Sequence, residues 1–149
     1  MSSDPVLLDT NVLVYAVFND SAHHFAARRF IEDAWREGIR LCVTPQNLVE
    51  FFAVVTNPRR VTKPYTPIEA LEVIDDVMRA IALFVLPFPS DLHLRWRELV
   101  RKQPVAGRKV FDLQLVATML GNGVRRICTF NAVDFRPFAE VQVSVPKPP

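Results

Sequence analysis

Val6-Leu7-Leu8-Asp9-Thr10-Asn11-Val12-Leu13-Val14-Tyr15-Ala16 is the stretch around which the chain is organised. An apolar run stops at Asp9-Thr10-Asn11, and a second run begins at once. The first run, short and made of Val and Leu, reads as a buried strand. The polar triplet then falls where a parallel strand emerges at its carboxyl end. In open α/β sheets ligands bind outside that end, where the strand order reverses. Asp9 is therefore a candidate for chemistry. All three residue types are also good helix N-caps, and the stretch alone fits a capped helical turn equally well.

Beyond this stretch, strand and helix signals alternate. A helix is predicted over 22–37, with Ala27, Phe30, Ile31 and Ala34 on one stripe and Gly38 at its end. Residues 39–44 read as a second buried strand, and Thr44-Pro45 opens a helix through about Val55. A Pro-punctuated loop over 57–67 carries Arg59, Arg60 and Lys63. Thr66-Pro67-Ile68-Glu69 has the form of a capping box and starts a helix to about Ala82. A brief strand over 84–86 is closed by Pro87 and Pro89, and Ser90 caps a helix from Asp91 to about Lys102. A second basic loop, Arg101 to Lys109, leads into a helix to about Leu120, ended by Gly121-Asn122-Gly123. Strands follow at 126–130 and, as a short edge, 141–145. The alternation predicts an α/β fold, a three-layer α/β/α sandwich with a central, mostly parallel sheet of four to five strands. With no repeat or linker, one domain is expected over 1–149, its core at about 6–145 and a frayed Pro-rich tail at 146–149.

Composition agrees with a folded domain. The 149 residues are 50% hydrophobic and 23% charged, which excludes a disordered chain. A formal charge of +2 permits an anionic partner without requiring one. Cys42 and Cys128 sit in apolar runs with no Cys-x-x-Cys spacing, as buried free thiols in a reducing compartment would. The first residues lack a basic stretch, and no apolar run approaches the roughly 20 residues that span a bilayer. A soluble, cytoplasmic protein is expected, without a membrane partner.

Three further carboxylates stand where a carboxylate is costly. In the helix from Pro45 to Val55, Leu48, Val49, Phe51, Phe52, Ala53, Val54 and Val55 leave almost no polar side. Such a helix is expected to be covered on most faces. Glu50 shares the narrow remaining sector with Gln46 and Asn47, either as a solvated strip or as part of a paired or metal-bound group. Asp112 lies on the stripe of Leu115, Val116 and Met119, so it points where core residues point, unless it is simply an N-cap. In Thr129-Phe130-Asn131-Ala132-Val133-Asp134-Phe135 a strand again runs out into polar groups, either an Asx turn or a second side of the Asp9 site. If the first and fourth strands are neighbours, these groups share one sheet edge. Several acidic groups in a partly dry cleft repel one another, and a divalent cation is the usual remedy. Oxygen donors without a His or Cys cluster favour Mg²⁺ or Mn²⁺ over zinc.

These residues, in this order and spacing, resemble those of the PIN-domain ribonucleases. The small size and the basic Asn57-Pro58-Arg59-Arg60 loop look most like the VapC-type toxins of bacterial toxin–antitoxin pairs. The resemblance runs from Val6 to about Phe138 and implies a PIN-like fold. It also implies a metal-dependent endoribonuclease that hydrolyses RNA phosphodiester bonds, with tRNA or rRNA as plausible substrates and translation as the process inhibited. By resemblance, Asp9, Glu50, Asp112 and Asp134 form the catalytic, metal-holding quartet for Mg²⁺ or Mn²⁺. Thr10, Asn11, Thr129 and Asn131 match its polar supports. Arg59, Arg60, Lys63, Arg108 and Lys109 could follow an RNA backbone, or be ordinary solvated loop charges. The implied partners are a small antitoxin, a second copy of the chain, and operator DNA reached only through the antitoxin. Leu113 and Asn131 depart from the commonest pattern, which bears on the number of metals. Competing readings are a non-catalytic PIN scaffold, a DNA-directed nuclease and a haloacid-dehalogenase-like phosphatase. The last needs an Asp at the position of Asn11.

Overall fold

A computed structural model describes residues 4–149 of the chain. β1 (Val6–Leu8) is followed by α1 (Thr10–Val17), α2 (His24–Arg36), β2 (Leu41–Val43), α3 (Pro45–Val55), α4 (Pro67–Ala80) and β3 (Phe84–Val85). The chain continues through α5 (Leu92–Lys102), α6 (Val110–Gly121), β4 (Arg126–Cys128) and β5 (Gln142–Ser144). The strands form one sheet in the order β3-β2-β1-β4-β5, and every neighbouring pair is parallel.

β1 is central, and all three of its side chains are buried. Strand alternation splits its residues between two cores. Val6 and Leu8, with Leu41, Val43 and Cys128, face Val12, Ile31, Phe51, Val55 and Ala70 from α1 to α4. Leu7, with Cys42 and Ile127, faces Leu113, Val116 and Met119 of α6, and the half-buried Leu99 of α5 packs against that group. The sandwich is thus three layers, as expected, and its sheet is wholly parallel. A Leu8→Ala cavity at the centre would cost about 2–5 kcal/mol.

The helices begin where capping chemistry allows. Asp9 is the N-cap of α1, its carboxylate accepting the Thr10 N–H at 2.8 Å. Thr44 and Asn47 cap α3 reciprocally, backbone to side chain in both directions. Thr66 accepts the Glu69 N–H at the start of α4. Ser90 does not cap α5: Asp91 holds that place without a capping hydrogen bond and pairs with Arg95 instead. α1 makes two helical turns, more than the single short turn that the sequence suggests after the first strand. The α6 C-terminus needs two glycines for different reasons. A Cβ at Gly121 would run into the Pro89 ring, and Gly123 holds φ at +71°.

The coverage of α3 also departs from expectation. α3 buries only Asn47, Phe51 and Val55, while Val49 is 70% exposed. Its apolar circumference therefore does not mean coverage on most faces. Ile68 and Leu71 of α4 are exposed as well. No described helix is long and apolar enough to cross a membrane.

Candidate active site

The parallel pairing of β1 with β4 brings their carboxyl ends side by side, with Leu8 opposite Cys128. The next residues out of each strand are Asp9 and Thr129. Thr129, fully buried, donates its hydroxyl to Asp9 Oδ2 at 2.8 Å. The same hydroxyl oxygen accepts the Asn131 N–H at 3.0 Å and the Asn11 amide at 3.4 Å. Asn11 also accepts the Phe130 N–H at 3.2 Å. Both oxygens of Asp9 thus have a donor, one from its own helix N-terminus and one from the neighbouring strand end. Asp9 is a cap and a site residue together; the two readings of its sequence do not compete.

Glu50 is held by a second set of partners. The Thr10 hydroxyl donates to Glu50 Oε2 at 3.0 Å and accepts the Asn47 side-chain amide at 3.2 Å. The Gln46 amide donates to Glu50 Oε1 at 3.0 Å and to the Phe111 carbonyl at 2.9 Å. Gln114 then donates to Gln46 Oε1 at 2.9 Å. A chain of amides therefore ties Glu50 on α3 to the first turns of α6. Asp112 lies in the first turn of α6, inside the helix and not at its N-cap, which is Lys109.

Asp134 completes the group from a single 3-10 turn, Ala132–Asp134, beyond β4. Its Oδ1 accepts Lys109 Nζ at 2.7 Å. Lys109, read from the sequence as a backbone-tracking cation, is thus committed to an ion pair at the site.

The four carboxylates feel one another. Burial raises the pKa of Asp9 above the ordinary carboxylate range, and the charges of Glu50 and Asp134 add to the effect, against hydrogen bonds from Thr129 and Thr10. Burial likewise pushes Asp112 up to about 6, with the charge of Asp134 next in importance and those of Asp9 and Glu50 behind it. Lys109 opposes that rise. Among the described residues, no three His, Cys, Asp or Glu side chains converge into a ready-made metal cage. The donors are nevertheless hard oxygens that repel one another at one edge of the sheet. That chemistry fits Mg²⁺ or Mn²⁺ and fits zinc poorly.

Other expected residues lie apart. Asn131 is exposed and contributes its backbone N–H through Thr129. Arg59, Arg60 and Lys63 are exposed beyond the far end of α3, which starts at the carboxylate edge and runs about 15 Å away from it. Arg108 lies over the Phe111 ring, 5.8 Å from its centroid. His24 bonds the Tyr15 carbonyl, and the His23 ring lies tilted against those of Tyr15 and Phe130. Sequence reasoning placed Gln46 and Asn47 beside Glu50 without assigning them work, and it missed Gln114. The Thr44-x-x-Asn47 spacing was the available signal for Asn47. Nothing local marks Gln114, whose partner is remote in sequence.

The PIN domain family model matches residues 6–141 of the chain. The chain belongs to the PIN-domain family. It is 32% identical to ribonuclease VapC24 of Mycobacterium tuberculosis over 132 residues, 88% of this chain and 89% of that protein. Its fold is similar to VapBC2 from Rickettsia felis, whose crystal structure is bound to a promoter DNA fragment. That match has a TM-score of 0.67 at 17% identity and covers 94% of this chain and 97% of that one. It is also similar to M. tuberculosis VapC20, a toxin that cleaves the sarcin-ricin loop. Here the TM-score is 0.65 at 16% identity, covering 92% of this chain and 98% of the other. This PIN domain carries Asp9, Glu50, Asp112 and Asp134 within the matched span.

Proposed function

We propose that this PIN-domain protein is a Mg²⁺- or Mn²⁺-dependent endoribonuclease, the toxin of a toxin–antitoxin pair. The observation that carries the proposal is the sheet edge where Asp9, Glu50, Asp112 and Asp134 interact through their charges, with Asp9 and Glu50 each held by side-chain hydrogen bonds. The ribonuclease names of relatives sharing a third of the sequence support it.

Asp9, Glu50 and Asp112 would hold the cation, with Asp134, paired to Lys109, beside them. When bound, it polarises a phosphate oxygen, activates a water for in-line attack and offsets the charge that builds on phosphorus. The chain's own contribution is preorganisation. Thr129 and the Thr10 N–H fix the two oxygens of Asp9, and Thr10 and Gln46 fix those of Glu50. The Gln46–Gln114 link ties α3, which carries Glu50, to α6, which carries Asp112. Asp112, with its raised pKa, must shed its proton before it can act as a ligand. Attack by water leaves a linear phosphate end and no 2′,3′-cyclic phosphate, because the ribose 2′-hydroxyl takes no part.

The same reading extends to partners. A small antitoxin would control the toxin and carry operator DNA contacts, and a second copy of the chain would complete a homodimer, all in the cytoplasm. VapBC2, solved with promoter DNA, supports the first part. A groove of about 690 Å³ between α1, α2 and α4, lined by Ile31, Trp35, Val73 and Val77 with charges at its rim, offers an apolar helix a seat away from the carboxylates. The exposed Val49, Ile68 and Leu71 are the surface that a homodimer would cover. Arg108 and the Arg59, Arg60 and Lys63 loop remain candidates for RNA backbone contact.

The test is direct. Purified, antitoxin-free protein incubated with structured RNA should cleave it with Mg²⁺ or Mn²⁺ and stop in EDTA, giving linear phosphate ends. A folded protein that cleaves no RNA with either metal, or that leaves cyclic phosphate ends, would refute the proposal.

A further inference from the structure

Among the described residues, Lys109 is the one cation hydrogen-bonded to any of the four carboxylates. Its position is built into the backbone. Gly107, at φ +61°, turns the chain into a 3-10 helix over Gly107–Lys109, and Lys109 then stands at the N-cap of α6, one turn ahead of Asp112. From there Nζ reaches Asp134 Oδ1 at 2.7 Å, and its charge also acts on Asp112. Arg108, its neighbour, turns away to Phe111. An ammonium is a compact, strongly hydrated point charge, the side chain closest in character to a metal ion. With the ammonium fixed at Oδ1, a second cation on Asp134 would stand beside a like charge and be repelled by it.

We propose that Lys109 is a resident counter-cation that takes the place of a second divalent ion at Asp134, so that the site binds a single metal ion. The inference rests on the metal-dependent reading above and adds to it the number of ions. Asp134 on this account is a positioning residue for Lys109. Asp9, Glu50 and Asp112 are left to hold the ion.

The experiment counts bound Mn²⁺ in the full chain by isothermal titration calorimetry, with electron paramagnetic resonance of free Mn²⁺ as a second readout. Both are independent of RNA cleavage. Wild-type protein should bind one Mn²⁺, and Lys109→Met should bind twice as much per chain. Lys109→Arg, which keeps the charge, should stay at the wild-type count. In an Asp134→Asn background, Lys109→Met should add nothing, because the ligand that the lysine occupies is gone. Because Lys109 is exposed, all these chains should fold, which circular dichroism verifies. An unchanged count in Lys109→Met, two ions in the wild type, or a gain that persists in Asp134→Asn each overturns the inference alone. Wild-type protein that binds no Mn²⁺ overturns the metal-dependent reading and the inference with it.

Discussion

Removing the charge of Asp112 should stabilise the metal-free protein while abolishing its activity. Asp112 sits half-buried among three other carboxylates, and its pKa rises from 3.8 to about 6. The sign is set by proton binding. Between those two values the unfolded chain has lost the proton and the folded chain keeps it, so unfolding releases a proton. Stability therefore falls as pH rises through the window from about 4 to about 6, and is flat above it. The full shift corresponds to at most about 3 kcal/mol, and partial exposure to screening solvent reduces this to about 1–2 kcal/mol. Asp112→Asn keeps the shape, removes the titration, and should gain that amount at neutral pH. Urea unfolding in EDTA, at about pH 4.5 and about pH 7.5 for both proteins, measures it. The variant should be the more stable at the higher pH and show a flatter dependence, with a residual slope from Asp9, whose pKa is also raised. Adding Mg²⁺ should reverse the ranking, because only the wild type gains fully from ligand binding. Equal stability at the higher pH, with parallel pH profiles, would refute the crowded-carboxylate account.

Three further outcomes are expected. Thr129→Val leaves Asp9 Oδ2 and the Asn131 N–H without their shared hydroxyl in a buried position and should cost about 1–3 kcal/mol by urea unfolding. Its cleavage rate should fall with it; an unaffected rate would mean that Thr129 does not orient Asp9. Asn47→Ala loses the side-chain half of the α3 capping box, which accepts the Thr44 N–H, and the bond to Thr10, a combined cost of about 2–4 kcal/mol seen as a lower urea midpoint. Cys42, pushed up to about 12 by burial, and Cys128, raised further by burial and the charge of Asp9, should resist iodoacetamide in the folded protein and react on unfolding. Mass spectrometry of the alkylated chain reads this directly.

The parts of the fold that were legible in the sequence are those where local chemistry and tertiary need agree. The all-apolar Val6-Leu7-Leu8 can only be satisfied by cover on both faces, and it lies at the centre of the sheet. Thr44-Pro45 carries a cap and a preset φ in two adjacent residues, and α3 begins there. Ser90 carried a similar signal and failed, because Asp91 is drawn to Arg95 and the helix starts a residue later. The coverage of α3 was misread for a different reason. Hydrophobicity around a helix shows what could be buried, whereas Val49 lies on a face that this chain alone does not cover.

The site divides along the same line. Glu50 and Asp112 were visible because a charge among apolar positions is costly enough to need a reason, Asp9 because it ends a buried strand, and Asp134 through the family resemblance. Their supports were harder to see, since Gln46, Asn47 and Gln114 are ordinary polar residues until the fold sets α3 beside α6. Lys109 was visible only as one of several loop cations. That it serves Asp134 while Arg59, Arg60 and Lys63 stand at the far end of α3 depends on strand order, which spacing alone does not encode.

The most direct test of the central claim is RNA cleavage in Mg²⁺ by wild type, Asp9→Asn and Asp112→Asn, each shown to be folded. The account predicts that both substitutions, on different elements and each one atom group in size, reduce cleavage by about a hundredfold or more. Cleavage that survives both at the wild-type rate would place the chemistry elsewhere.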